Sequence, residues 1–237
     1  MVTGARPASK RLGDRTRANR ARAATVDLVI VALRDACGRA PWPAPLEATS
    51  LAASLLDADA RFACIAIDAL EGCRRAPLRP VCPGIERAGA IADELLALAD
   101  DGEAGYAYAL RCAVDSLIEG DAAYQRLPFR TADRRAAILF IGDGRPGADV
   151  PDASAECELL RQRGWPVFTV GVGAAASESG AEAVLRTMAI VTRGAFFSAA
   201  TADELVAACG AAIAELRGRG KRDGMPAGRG GADRGGA

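Results

Sequence analysis

Apolar runs of strand length alternate along this chain with stretches of helical periodicity, and this alternation limits the possible folds more than any other feature. Residues 26–33 are apolar except for Asp27, and residues 136–141 and 167–172 form two further runs that are largely apolar. A strand that is buried on both faces has a continuous run of apolar residues, whereas a strand with one solvent-exposed face alternates apolar and polar residues. Strands of this kind between amphipathic helices predict βαβ units, and therefore an α/β fold with a mostly parallel sheet.

The remaining segments bring the prediction to about six strands and six helices in alternating order. Further strands are predicted at residues 61–68 and 195–198, with a short edge strand at 73–78 that Pro77 interrupts. Helices are predicted at residues 46–56, 85–99, 106 onward, 152–163, 179–189 and 201–216. The last two begin with capping-box sequences, Ser179 to Glu182 and Thr201 to Glu204.

The charge of the chain is divided between two basic ends and an acidic middle. Residues 1–24 carry seven Lys or Arg and one Asp, and residues 217–237 carry six basic and two acidic side chains. The whole chain has 30 of each sign, so residues 25–216 hold 30 − 13 = 17 basic and 30 − 3 = 27 acidic side chains. We predict one domain at 25–216 between disordered tails, 1–24 and 217–237, because the ends have too little apolar surface to order a chain. The tails would act as solubilising segments or contact nucleic acid non-specifically.

The composition argues against most enzyme classes. The chain has no histidine, which removes the usual general base, the Ser-His and Cys-His nucleophile pairs and the commonest transition-metal ligand. Its seven cysteines are scattered without a Cys-x-x-Cys pair, so we expect reduced, largely buried thiols. No segment has the length and apolarity of a membrane span or a secretory signal, and the expected location is the cytoplasm.

Four sequence segments in the second half of the chain resemble the von Willebrand factor A family. They are an apolar strand ending in Gly-Asp143-Gly, the sequence Val167-Phe-Thr-Val-Gly-Val-Gly173 where the family often has Val-x-Val-Gly-x-Gly, a helix with Leu185 and Met188, and Gly194 followed one residue later by an aromatic pair. The resemblance extends over residues 26–216 and implies a three-layer, Rossmann-like fold with helices on both faces of the sheet. It also implies a protein-binding module rather than an enzyme.

The family resemblance places a divalent-cation site on three loops, and this chain departs from the family at most of its positions. In the family, hydroxyl and carboxylate oxygens hold Mg²⁺ or Mn²⁺, which prefer such hard ligands. The first loop here contains Asp35, Cys37 and Arg39, where the family has Asp-x-Ser-x-Ser, and Ala104 occupies the threonine position of the second loop. With Asp143 in the third loop, these residues are predicted to form a protein-binding rim without a bound cofactor.

Several alternatives remain open for this rim. Asp35 and Asp143 could hold Mg²⁺ or Mn²⁺ weakly with help from Asp101 or Glu103, or Arg39 could lie between the two carboxylates and neutralise them. In the third alternative, Asp143 only caps a turn and Arg39 points to water. A shifted alignment would put Leu33 in the aspartate position and remove Asp35 from the site.

Other functions have less support from the sequence. A nucleotide-binding enzyme would have to use Gly171 and Gly173, but the Rossmann fingerprint enters a helix directly and lies early in the chain. The acidic residues Asp143, Asp149 and Asp152 suggest a phosphoacceptor site but lack an obvious Lys or Ser partner. Resemblance to bacterial A domains implies an unidentified protein partner, with an ATPase chaperone or a chelatase complex as one candidate.

Overall fold

The computed structural model of this 237-residue chain describes residues 25–33, 49, 52, 54–56, 60–68, 72–75, 79–80, 105–125, 134–144, 153–172 and 179–223. Within these ranges lie seven strands: β1 (Thr25–Leu33), β2 (Arg61–Asp68), β3 (Gly72–Arg75), β4 (Arg79–Pro80), β5 (Arg134–Gly142), β6 (Val167–Val172) and β7 (Phe196–Ala199). Four helices are described: α1 (Tyr106–Gln125), α2 (Ser154–Arg163), α3 (Ser179–Val191) and α4 (Ala202–Asp223).

The strands form one sheet in the order β3-β2-β1-β5-β6-β7, and the pairs among β2, β1, β5, β6 and β7 are parallel. β3 and β4 each pair with β2 in the antiparallel direction. The single edge strand predicted at 73–78 is therefore two short strands on either side of residues 76–78. That interval contains Pro77, whose nitrogen has no hydrogen to donate to a sheet ladder.

The helices cover both faces of the sheet, as is visible from two neighbouring residues of β6. Thr169 Oγ1 donates a hydrogen bond to the Leu185 carbonyl of α3 at 3.0 Å, whereas the Phe168 ring lies under Arg219 of α4. Since successive side chains of a strand point to opposite faces, α3 and α4 lie on opposite sides. This arrangement is the three-layer α/β fold predicted from the sequence.

The core is built from the apolar runs that the sequence analysis identified as strands. Every residue of β6 is buried, and so are the last six residues of β5, from Ala137 to Gly142. The predicted helix at 46–56 is described at Thr49, Ala52 and Ser54, which are helical, while the predicted helix at 85–99 lies outside the described residues.

The last helix is longer than predicted. We expected the basic tail to begin at residue 217, but α4 continues to Asp223. Arg217 donates to the Leu55 carbonyl, and Arg219 donates to the Gly194 carbonyl at 3.3 Å. These contacts hold the start of the segment that was predicted as a tail, and the helix continues seven residues beyond the predicted boundary at 216. The tail predictions for 1–24 and 224–237 concern residues outside the described ranges.

Four cysteines are buried, reduced thiols, as predicted: Cys64, Cys112, Cys157 and Cys209. Burial raises the pKa of the Cys209 thiol to about 12, so this group stays protonated and unreactive near neutral pH. The side chains of Cys37, Cys73 and Cys82 are not among those described.

A buried carboxylate holds three strands together at the edge of the sheet where they begin. Asp27 of β1 accepts hydrogen bonds from Arg61 Nε at 2.9 Å and Arg61 Nη2 at 2.5 Å. From the other side it accepts bonds from Arg134 Nη2 at 2.6 Å and Arg134 Nε at 3.1 Å. The Asp27 side chain is 7% exposed, and each guanidinium side chain is 15% exposed. One carboxylate therefore satisfies two arginines that flank it on β2 and β5.

We predict that Asp27→Ala lowers the free energy of unfolding by about 3 kcal/mol, because it leaves two mostly buried guanidinium groups without their anion. Urea denaturation is the appropriate measurement. Glu119→Ala is the matched control, since Glu119 is 64% exposed and pairs with Arg75 at the surface. The control should change stability by less than about 1 kcal/mol. Equal losses in the two variants would contradict the prediction.

Candidate binding site at the carboxyl edge of the sheet

The order of the strands creates a crevice between β1 and β5. From β1 the chain continues to β2 on one side, and it later returns to β5 on the other side of β1. The two strands are parallel and in register, with Ala32 opposite Ile141, so the chain leaves both at the same edge of the sheet. Open α/β sheets bind ligands at such a switch point, outside the carboxyl ends of the strands.

A tight turn follows β5 at this crevice and presents Asp143. Gly144 has φ of 76°, a left-handed backbone conformation that glycine adopts without steric cost. A Cβ atom at Gly144 would lie 2.2 Å from the Ala181 carbonyl oxygen of α3. At Gly142 a Cβ would lie 2.8 Å from the Tyr106 hydroxyl. Both glycines of the Gly-Asp-Gly sequence are therefore required by close packing around the turn.

The Tyr106 hydroxyl fixes the turn through two hydrogen bonds. It donates to Asp143 Oδ1 at 2.8 Å and accepts from the Gly144 backbone N–H at 2.9 Å. The Tyr106 residue is 1% exposed, and its ring packs edge-on against Phe140 with centroids 4.8 Å apart. A buried phenol needs a polar partner, and here the same oxygen satisfies both the carboxylate and a buried amide.

Sequence reasoning did not identify Tyr106 as a residue of this site. Its position fits the apolar face of α1 together with Leu110 and Leu117, and all three are buried. The available signal was the hydroxyl itself, because a tyrosine in the apolar stripe of a helix brings a polar atom that must be satisfied. The first residue of α1 thus carries a side chain that reaches the turn after β5.

The structure describes only one of the predicted rim residues. Asp143 lies at the carboxyl edge as predicted, whereas Asp35, Cys37, Arg39 and Ala104 lie outside the described residues. The described part of β1 ends at Leu33, two residues before Asp35. Whether the first two loops meet Asp143, and whether Arg39 lies between the carboxylates, stay predictions.

Three of the residues at the metal-ligand positions expected from the family resemblance supply no hard oxygen ligand. Within the described ranges, no three side chains of the His, Cys, Asp or Glu type are grouped so that they could hold one. At the predicted positions, Cys37 offers a soft sulfur, Arg39 a permanent cation and Ala104 no polar atom. Mg²⁺ and Mn²⁺ prefer oxygen ligands, so these three substitutions disfavour both ions.

The glycines of the alternative nucleotide site lie apart from any described helix start. Gly171 is a buried residue of β6, and α3 begins only at Ser179. A Rossmann phosphate loop enters its helix directly, and this spacing does not reproduce it. Asp149 and Asp152, proposed with Asp143 as an acidic cluster, are outside the described ranges.

Comparison with solved structures identifies the fold. The chain is similar to a von Willebrand factor type A protein from Catenulispora acidiphila, with a TM-score of 0.57 and 19% identity over 84% of this chain and 43% of that one. It is similar to proximal thread matrix protein 1 from the mussel byssus, solved with a zinc-occupied MIDAS motif, with a TM-score of 0.56 and 13% identity over 82% of this chain and 46% of that one. A third structure is an aerotolerance-related membrane protein from Bacteroides fragilis carrying multiple mutations to serines, with a TM-score of 0.54, 13% identity and coverage of 81% of this chain and 99% of that one.

These likenesses show that the chain has the von Willebrand factor A fold, which confirms the resemblance stated from its motifs. The chain spans less than half the length of the first solved structures it resembles. No protein-family model matches the sequence, and no curated protein matches it. Among the helices that the structure describes, none combines the length and apolarity needed to cross a membrane.

We predict that Gly144→Ala destabilises the domain by at least about 2 kcal/mol more than Gly164→Ala. Both glycines have positive φ, 76° and 69°, so each variant carries a backbone cost of about 1–2 kcal/mol. A Cβ at Gly164 meets nothing within 4 Å, whereas a Cβ at Gly144 collides with a carbonyl oxygen. Chemical denaturation of both variants measures the difference, and equal stabilities would refute the packing around the Asp143 turn.

Proposed function

We propose that this domain is a non-enzymatic, protein-binding module of the von Willebrand factor A type. Its contact surface is the rim formed by Asp35, Cys37, Arg39, Ala104 and Asp143 at the carboxyl edge of the sheet. The observation that carries this proposal is the place of Asp143, which lies on a rigid turn beside the switch point between β1 and β5. Residues on loops that a rigid sheet positions are well suited to recognition.

The hydrogen bonds of Tyr106 support a rim that stays ordered without a metal ion. A single hydroxyl joins the first residue of α1 to Asp143 and to the Gly144 amide. We infer that the rim works without Mg²⁺ or Mn²⁺, because a phenol holds the third loop and the hydroxyl ligands of the other loops are replaced. The partner is another protein, and it binds directly to the rim side chains.

Calorimetry with Mg²⁺ and Mn²⁺ tests metal independence. We expect no binding with a dissociation constant below about 1 mM, since Cys37, Arg39 and Ala104 supply no hard oxygen. A variant carrying Cys37→Ser, Arg39→Ser and Ala104→Thr restores the family's ligands and should bind Mg²⁺. Adding Asp143→Ala to it should abolish that binding. Submillimolar binding by the natural chain that is lost in Asp143→Ala would contradict metal independence.

Affinity purification from the native cell tests the protein-binding function. Natural protein and two variants, Asp143→Lys and Asp115→Lys, are each immobilised and exposed to the same extract. Asp115 is an exposed residue of α1, so its charge reversal is a control for general electrostatic effects. We expect proteins that are retained by the natural chain and by Asp115→Lys but released by Asp143→Lys. An identical set of proteins on all three would show that the Asp143 rim is not the contact surface.

A further inference from the structure

Six arginines line a cavity of about 540 Å³ at the opposite edge of the sheet, where β5, β6 and β7 begin. They are Arg134, Arg135, Arg161, Arg163, Arg193 and Arg219. The half-buried Trp165 adds an aromatic wall, and no acidic side chain is among the described residues that line the cavity. The site lies away from Asp143 and takes no part in the function proposed above.

The concentration of positive charge at this cavity is opposite to the charge of the domain. Residues 25–216 carry 17 basic and 27 acidic side chains, a net charge of −10. Five of those 17 basic residues line the cavity, and Arg219 of α4 joins them. A local excess of arginine on an acidic protein concentrates anions at one place.

Three of the six arginines have carboxylate partners, and a fourth, Arg135, has an interaction of its own. Arg134 binds Asp27, Arg161 binds Glu158 with 2.6 Å between Nη2 and Oε1, and Arg219 binds Glu215 at 2.6 Å. The hydrogen bond from Arg161 lowers the pKa of Glu158 to about 2, so this pair stays ionised at neutral pH. These three guanidinium groups shape the cavity and bring little free charge to it.

Arg163 and Arg193 are different, because neither has an ion pair with any side chain in the described part of the chain. The Arg163 guanidinium lies over the Trp165 ring, 5.4 Å from its centroid. Arg193 has φ of 61° and is the only residue other than glycine with positive φ among those described. Glycine or asparagine normally occupies such a position after a helix, so an arginine there is retained at a conformational cost.

The partial negative charges at nearby helix carboxyl ends do not fully neutralise Arg163 and Arg193. α2 ends at Arg163 and α3 ends at Val191, two residues before Arg193. Each helix carboxyl end carries about half a negative charge, so the two ends together offset about one of the two positive charges. The remaining positive charge lies on two exposed guanidinium groups at one cavity, where it is available to an anion from solution.

We propose that this cavity binds a small molecule carrying two or more phosphate groups. The guanidinium fork of arginine matches the oxygens of phosphate in a bidentate way, and two forks without a carboxylate partner among the described residues suit two linked phosphates. The cavity volume is in the range of sites for small ligands, which is too small for a folded partner. Trp165 provides a flat surface for an apolar part of the same molecule.

Calorimetric titration of the full chain with tripolyphosphate in about 0.15 M KCl tests the site, with ADP and citrate as further ligands. We expect saturable binding of tripolyphosphate and ADP, and at least tenfold weaker binding after Arg193→Gly or Arg163→Gln. Arg75→Gln, which removes a partly exposed arginine of β3 far from the cavity lining, is the control and should bind as the natural chain does. Pyrophosphate is titrated as the matched ligand for ADP, and tighter binding of ADP would assign the nucleoside to the Trp165 wall.

Thermal unfolding separates loss of the ligand contact from loss of the fold. Arg193→Gly should melt at the same temperature as the natural chain or higher, because glycine relieves the left-handed backbone cost. A lower melting temperature would show that the guanidinium stabilises the fold instead and would overturn the assignment. The assignment also fails if Arg75→Gln weakens tripolyphosphate binding as much as Arg193→Gly does, or if citrate binds as tightly as tripolyphosphate.

Discussion

The parallel pairing of β1 with β5 is the constraint on which the rest of the structure depends. Eight residue pairs join these strands, and residues 28–32 of β1 and 137–141 of β5 are buried. Because β2 lies on the other side of β1, this pairing also creates the switch point of the sheet. The same register brings Arg134 beside Asp27 at one edge and leaves Asp143 at the other. Because the side chains of a strand alternate between the two faces, a slip of one residue would turn Arg134 to the face opposite Asp27 and break this ion pair.

The two edges of the sheet each hold a carboxylate, but the two carboxylates differ in burial and in hydrogen-bond partner. At the amino edge, Asp27 is almost fully buried and is satisfied by two arginines, so its charge is used for holding strands together. At the carboxyl edge, Asp143 is partly exposed and receives a hydrogen bond from the uncharged Tyr106 hydroxyl. A neutral donor orients a carboxylate without cancelling its charge. The first arrangement stabilises the fold, while the second presents a side chain.

The sequence predicted those parts of the fold whose signal lies in a short run of contiguous residues. The apolar runs of β1, β5 and β6, the Gly-Asp-Gly turn and the capping residues Thr201 and Glu204 all lie within short segments. Thr201 Oγ1 accepts from the Glu204 amide at 3.2 Å, as its capping box predicts. Contacts between distant residues gave no such signal. Arg61 and Arg134 lie 34 and 107 residues from Asp27 and meet it only through the strand register. The continuation of α4 was missed because its apolar stripe ends at Leu216, although the arginines that follow find backbone acceptors in the fold.

Tyr106 holds the turn after β5 with its own hydroxyl, at the edge of the sheet where the family resemblance led us to expect oxygen ligands of a metal ion. A metal ion at such a site would connect loops by accepting electron pairs from several of them. Here one hydroxyl connects two of the same regions, the start of α1 and the turn after β5, by donating to a carboxylate and accepting from an amide. The phenol belongs to the chain and is locked by its ring contact with Phe140, so no ligand must bind before the turn is ordered. A turn that is already ordered loses less entropy when it binds a partner. The order of this turn depends on β5, the buried strand that the sequence predicts most clearly, because β5 supplies Phe140.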